Sequence, residues 1–267
     1  MQKKTTSWGK VAGWYNRLLE EGEDTYQEKL IKPNLLRLLS PKPGEAILDV
    51  GCGQGFFARD VAKAGARVVG IDVAGELIKL AKEQADANQT FLVLSAEKMA
   101  GLTSARFDAA ICVLALQNIK NLQAAVLEIA RVLKPGGRCI IVLNHPAFRI
   151  PTASSWSYDE KNNISGEAES RSGGQYRKIY KYLSEITREV DMTQGVTDEK
   201  KKRYTMSFHR PLQVYFKAFA KAGLCVTRLE EWASHKTSDS GPRKAAEDLA
   251  RKEIPLFMCL ELKKINL

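Results

Sequence analysis

The stretch ILDVGCGQGFF, residues 47–57, sets Gly51, Gly53 and Gly55 at alternate positions between two apolar runs, with Asp49 just before them. Glycine permits positive φ and lets a ligand approach the backbone where a side chain would block it. A helix beginning near Phe56 aims its first amides at whatever sits over the loop. Asp72 closes the next apolar run, VVGID, at a strand end where a carboxylate can accept two hydrogen bonds from ribose hydroxyls. Loop and acid together point to a ribose-bearing cofactor. The plainer alternative is a strand-to-helix turn, with Asp72 capping a helix from Gly75. The spacing is G-x-G-x-G, not the G-x-G-x-x-G of dinucleotide sites, and no GxxxxGK[ST] occurs. An acid ending the first strand suits a cofactor with an amino group better than a diphosphate, which leads away from NAD(P).

A second group of chemically able residues follows Asn144. His145, in NHPAFRIP, is the candidate general base or acceptor-orienting group, because histidine titrates near neutral pH; a strand cap is its alternative role. His209, in MSFHRPL, stands before a helix whose Pro211 suits the first turn, and could face the same pocket. Arg149 and Arg210 could receive an acidic substrate or be solvated at the surface. Aromatic residues come from both sides: Trp14, Tyr15 and Tyr26 early in the chain, and Phe148, Trp156, Tyr158, Tyr176, Tyr180 and Tyr182 after Asn144. Trp14, Tyr26, Asn144, Phe148, Trp156 and Tyr182 are the candidate substrate contacts, as a lid that excludes water. The five cysteines (Cys52, Cys112, Cys139, Cys225, Cys259) form no C-x-x-C pair. That argues against a zinc site or disulfide framework and for a reducing, cytoplasmic setting.

The elements that must position these groups are legible from 46 to 143. AILDV, ARVVGID, TFLVLSA, FDAAICVLAL and RCIIVLN read as strands, and FFARDVAKAG and ELIKLAKEQADA as helices. NLQAAVLEIARVLKPGG reads as a helix stopped by Pro135-Gly136-Gly137. Alternating strands and helices imply a parallel sheet covered on both faces. YRKIYKYLSEITREV reads as one or two exposed strands; HRPLQVYFKAFAKAGL and GPRKAAEDLARKE are helical, and LCVTRLEEW and PLFMCLELKKI close as strands. The expected organisation is an N-terminal helical segment or lid at 1–40, a core at 41–145 and 208–267, and a substrate-side insertion at 146–207.

ILDVGCGQG followed by an acid at the next strand end resembles the first two motifs of class I S-adenosylmethionine-dependent methyltransferases. FDAAICVLALQNI is similar to their fourth strand and its loop, and RVLKPGGRCIIV to their helix–turn–fifth strand unit. WYN, SFHRPL, EEW and EIPLF resemble a broad subgroup with the methyltransferase type 11 domain, acting mostly on small molecules. The resemblance implies a doubly wound, mostly parallel seven-stranded Rossmann-like α/β sheet with a lid insertion after the fifth strand. It implies that Asp49 holds the loop and the methionine amino group, and that Gly51, Cys52, Gly53 and Gly55, with Tyr15 nearby, lie against the methionine moiety. Asp72 would take the ribose and Val73 the adenine face. Ser95, Ala96 and Glu97 would edge the adenine, and Val113, Leu114 and Gln117 would line the methionine end. Many members have Asp where Ser95 stands.

Methyl transfer from a sulfonium is an in-line displacement that needs positioning above all. The [DNS]-P-P-[YFW] tetrapeptide of amino methylation is missing, the corresponding strand end reading LALQNI. A small-molecule acceptor is therefore the favoured partner, with the protein a monomer or homodimer. The net charge of +10 and the run Lys200-Lys201-Lys202-Arg203 permit the alternative, an RNA- or protein-modifying enzyme, but aromatics do not interleave with that run as stacking platforms would. No apolar run is long enough for a membrane span, and no secretory signal follows the basic start.

Overall fold

The computed structural model describes residues 8–160, 173–192 and 202–265. Lys200 and Lys201 of the basic run lie outside them. The N-terminal segment forms α1 (Ala12–Glu21) and α2 (Lys32–Leu39), joined through a π-helical turn at Gln27–Ile31. Then come β1 (Ala46–Val50), α3 (Phe56–Lys63), β2 (Arg67–Asp72), α4 (Gly75–Glu83), β3 (Gln89–Val93), β4 (Phe107–Val113), α5 (Leu122–Val132) and β5 (Leu133–Asn144). After β5 the chain builds β6 (Ser154–Asp159), β7 (Gly174–Ile179), β8 (Ile186–Asp191) and β9 (Tyr204–His209). It returns to the core as α6 (Leu212–Lys221), β10 (Leu224–Trp232), α7 (Lys244–Glu253) and β11 (Phe257–Lys264).

The central sheet has seven strands in the order β10-β11-β5-β4-β1-β2-β3, and β11 runs antiparallel to both of its neighbours. The doubly wound α/β fold expected from the sequence is thus present. Its strands read as continuous apolar runs because both faces are covered. Leu48, Ala110, Cys112 and Ile141 pack on the side of α5 and α6, while Ile47, Ala109, Ile111 and Ile140 pack on the side of α2 and α3. This period-two division places Cys112, Cys139 and Cys259 in the interior, and Cys52 is buried in the glycine loop, all five cysteines being unpaired. The order of strands reverses between β1 and β4, and ligand crevices in open α/β sheets form at that switch point.

Two local readings shift. The helix expected to run to Pro135-Gly136-Gly137 ends at Val132, and Leu133 is already extended at φ −69, ψ 139. A residue before proline is driven out of the helical region, so Lys134 cannot continue the turn; Leu133–Asn144 is strand. The segment YRKIYKYLSEITREV resolves into two strands of different ribbons, β6–β7 and β8–β9, both antiparallel.

Candidate functional site

At the carboxyl ends of β1, β2 and β4 a cavity of about 450 Å³ opens over the glycine loop. Gly51, Gly53 and Gly55 all have positive φ (73°, 56° and 81°), so the turn depends on glycine. A Cβ on Gly51 would lie 2.4 Å from that of Ala115, and one on Gly55 would lie 2.8 Å from the Phe91 ring. Gly51, Cys52 and Gly53 line the cavity; Gly55 does not, its place being the packing of α3 against Phe91.

Asp49 is fully buried beneath the loop, with Oδ2 lacking any hydrogen-bond partner. Burial, reinforced by the charge of Asp72, pushes its carboxyl up to about 8. Asp72 braces the loop: Oδ2 accepts from the Gly53 amide at 3.1 Å and Oδ1 from Ala74 at 2.8 Å. Each oxygen retains a second lone pair, so bracing does not exclude a ligand hydroxyl. Val73 is half exposed at the rim. Ser95 accepts from the Glu97 amide and Glu97 from Asn121, which fixes the Ser95-Ala96-Glu97 edge of the same cavity. Tyr15 from α1 closes the side, its phenol pushed up to about 12 chiefly by burial. Val113 and Leu114 complete the floor.

A second cavity, of about 600 Å³, adjoins the first. Trp8, Tyr15, Leu114 and Asn118 line both. The strand β9 is a partition between them: Met206 and Phe208 face the glycine-loop cavity, whereas Thr205 and Ser207 face the second. Strand side chains alternate, so one strand serves both. Trp14, Tyr26 and Asn144, candidate substrate contacts in the sequence, line the second cavity. Gln117 lines it too, rather than the glycine-loop cavity where the sequence placed it. Its Nε2 donates to the Leu114 carbonyl at 2.9 Å, which leaves Oε1 buried with no partner.

Of the remaining sequence candidates, Arg149 lines the second cavity and the others reach neither. His145 is buried, its Nδ1 accepts from the Ala147 amide, and its Nε2 therefore carries the proton donated to Glu231 Oε1 at 2.7 Å. Burial lowers its pKa against the opposing carboxylate, so the ring is a neutral strap between strand ends. His209 donates from Nε2 to the Tyr182 carbonyl, and the Tyr182 hydroxyl accepts from Leu212 at the start of α6. Neither of these two residues nor His145 lines a cavity. Phe148 stacks on His145 at 4.6 Å, and Trp156 lies under the Arg177 guanidinium. Arg210 is buried and donates to the carbonyls of Ile119 and Lys120, so it holds the loop after β4 rather than a substrate. Arg177, Thr205, Ser207, Met206 and Phe208 were not singled out from sequence. The polar–apolar alternation of TMSF is the signal that marks the last four.

No group of His, Cys, Asp and Glu among the described residues could hold a metal ion, and no helix among them is long and apolar enough to cross a membrane.

Comparison with known proteins agrees with this geometry. Residues 48–141 match the family described as "Methyltransferase domain". The chain is 35% identical over 111 residues to a demethylmenaquinone methyltransferase of Tropheryma whipplei (strain Twist), covering 41% of this chain and 46% of that one. It is 36% identical over 101 residues to a ubiquinone biosynthesis O-methyltransferase of Xanthomonas oryzae pv. oryzae (strain PXO99A), covering 37% and 42% respectively. The chain thus spans less than half the length of these curated relatives. Across 88% of its own length it superposes on 99% of an S-adenosylmethionine-dependent methyltransferase from Mesorhizobium loti, with TM-score 0.67 and 23% identity. Residues 48–141 thus match a methyltransferase domain model, and the chain has the fold seen in class I S-adenosylmethionine-dependent methyltransferases.

Proposed function

We propose that the protein transfers a methyl group from S-adenosylmethionine to a small molecule, with the cofactor in the glycine-loop cavity and the acceptor in the cavity beside it. The observation that carries this is the pair of adjoining cavities separated by β9 and sharing Trp8, Tyr15, Leu114 and Asn118. The cradle fits the cofactor. Asp49 has an orphaned buried oxygen where a ligand ammonium would pair with it, and Gly51 and Gly53 leave open backbone beside it. Asp72 would take the ribose hydroxyls and Ser95-Ala96-Glu97 the adenine edge, with Val73 against its face. S-Adenosylmethionine, when bound, supplies an electrophilic methyl group on a sulfonium.

The chain's own residues then have a positioning task. The Leu114 backbone, at φ +54, forms the corner where the two cavities meet, held by hydrogen bonds from both Gln117 and Asn118 to its carbonyl. Trp8 and Tyr15, in edge contact at 5.4 Å, close the far side and exclude water. Orienting two reactants in this way supplies most of what a displacement needs. The relatives named for quinone pathways support a small acceptor, and the five unpaired cysteines support a reducing compartment.

The test is calorimetry with S-adenosylhomocysteine, followed by label transfer from methyl-labelled S-adenosylmethionine into a cell extract separated by size. Micromolar binding and label in the small-molecule fraction are expected. Label confined to RNA or protein would overturn the acceptor class.

A further inference from the structure

The second cavity is built around two guanidinium groups, Arg149 and Arg177. Arg149 lies over the Phe257 ring at 5.2 Å and donates from Nη1 to Asn144 Oδ1 at 2.7 Å. Arg177 lies over the Trp156 ring at 5.1 Å and donates to the Phe148 carbonyl and to Ser154 Oγ, both at 2.8 Å. Both line the cavity, and neither forms an ion pair among the described residues. Aromatic faces and neutral acceptors thus fix two cations in place while leaving their charge uncompensated. Burial lowers the pKa of both, and for Arg149 the charge of Arg177 adds to that effect. Asp191 is the one acid among the described lining residues. Two guanidiniums against one carboxylate leave the cavity one positive charge in excess. Guanidinium forks match planar carboxylates in geometry, and fixed ones lose little further freedom on binding.

Gln117 also lines this cavity, its Oε1 buried and without a donor. Its Nε2 is committed to Leu114, so the amide cannot turn to satisfy itself. A buried acceptor left unmade is costly, and a ligand hydroxyl or amine would relieve it. Leu114 borders both cavities, so this acceptor lies on the side where the methyl group would arrive.

The geometry points to an acceptor that is a small monocarboxylic acid, its carboxylate held by Arg149 and Arg177 and its hydroxyl, the group methylated, donating to Gln117 Oε1. The new bond forms between that oxygen and the methyl carbon. The carbon–sulfur bond breaks with its electron pair going to sulfur, and the acceptor's proton passes to solvent. This assignment rests on the methyltransferase reading above.

The experiment begins with a small-molecule extract passed over a strong anion exchanger at pH 7, each fraction then being offered to the enzyme with methyl-labelled S-adenosylmethionine. Label is expected in the retained fraction, and prior phosphatase treatment of that fraction is expected to leave it unchanged. Removing one charge-assisted contact costs about 10- to 100-fold in affinity. Arg149→Gln should therefore raise the half-saturating amount of that fraction by about this factor with the maximal rate little changed, and Arg149→Lys should recover part of the loss. Label in the flow-through alone, equally in both fractions or in neither would overturn the assignment. So would loss of the acceptor after phosphatase, or an Arg149→Gln variant that saturates as wild type does. Calorimetry of wild type and Arg149→Gln with S-adenosylhomocysteine separates the two levels. Wild type that fails to bind it defeats the methyltransferase reading, whereas normal binding in both leaves the acid-acceptor assignment to stand or fall on the fractions.

Discussion

The two cavities share a wall and have opposite electrical character. The glycine-loop cavity buries Asp49 and Asp72, both with carboxyls held above their ordinary range by desolvation. The neighbouring cavity holds Arg149 and Arg177, both with guanidiniums below theirs for the same reason. Each half keeps like charges that a ligand of the opposite sign would relieve. Their backbones differ as well. The first cavity is seated on one continuous turn between β1 and α3, with α1, the exits of β2, β3 and β4, and β9 around it, whereas the second gathers α1, the exit from β5, β7 and β9. The contrast teaches that the proposed cofactor seat starts from a local turn, and the proposed acceptor seat from segments distant in sequence.

The sharpest break in this comparison comes from removing an acid on the cofactor side. Asp72→Ala deletes the brace on Gly53 together with the proposed ribose contacts. Losing two charge-assisted hydrogen bonds should weaken S-adenosylhomocysteine binding at least ~100-fold by calorimetry. Retained binding would displace the ribose from Asp72.

The pH response should be smaller. Asp49, near 8 in the folded protein, has an ordinary value of 3.8. Between those values the folded protein holds a proton that the unfolded chain lacks, so unfolding releases it and stability falls as pH rises. The thermal midpoint of the cofactor-free protein should therefore drop between about pH 5 and 8. Cofactor binding to the ionised carboxylate should tighten over the upper part of that window, by at most about tenfold per unit. A flat affinity from pH 6 to 8 would remove Asp49 from the ammonium contact.

The smallest effect is expected from the histidine that belongs to neither cavity. His145→Gln should lower stability by about 1–3 kcal/mol, through the loss of buried hydrogen bonds to Glu231 and Ala147. The maximal methyl-transfer rate should stay within about threefold of wild type. A collapse of rate at unchanged stability would return His145 to the chemistry.

Much of the cofactor end could be read from sequence because its signal is contiguous. Asp49, the three glycines and Asp72 occupy two consecutive strand ends, and their spacing survives folding unchanged. The acceptor end could not be read this way. Arg149 was visible as a candidate, but Arg177 becomes its partner only once β7 pairs with β6 and lays the guanidinium on Trp156. His145 was selected for its titration range and His209 for its place before a helix, yet each is enclosed and engaged in a strap, which only the pairing of distant segments reveals. Gln117 is one turn away from its expected surface because the short helical turn Leu116–Asn118 points it to the other side of Leu114.

The alternation along β9 has a further consequence for how such a protein changes over generations. Thr205 and Ser207 belong to one cavity and Met206 and Phe208 to the other. If the cavities hold cofactor and acceptor as proposed, substitutions at the odd positions would retune which acceptor is admitted while the even positions keep the cofactor seat intact. Two selective pressures are thus written on interleaved letters of one short strand, and either can be edited without rewriting the other.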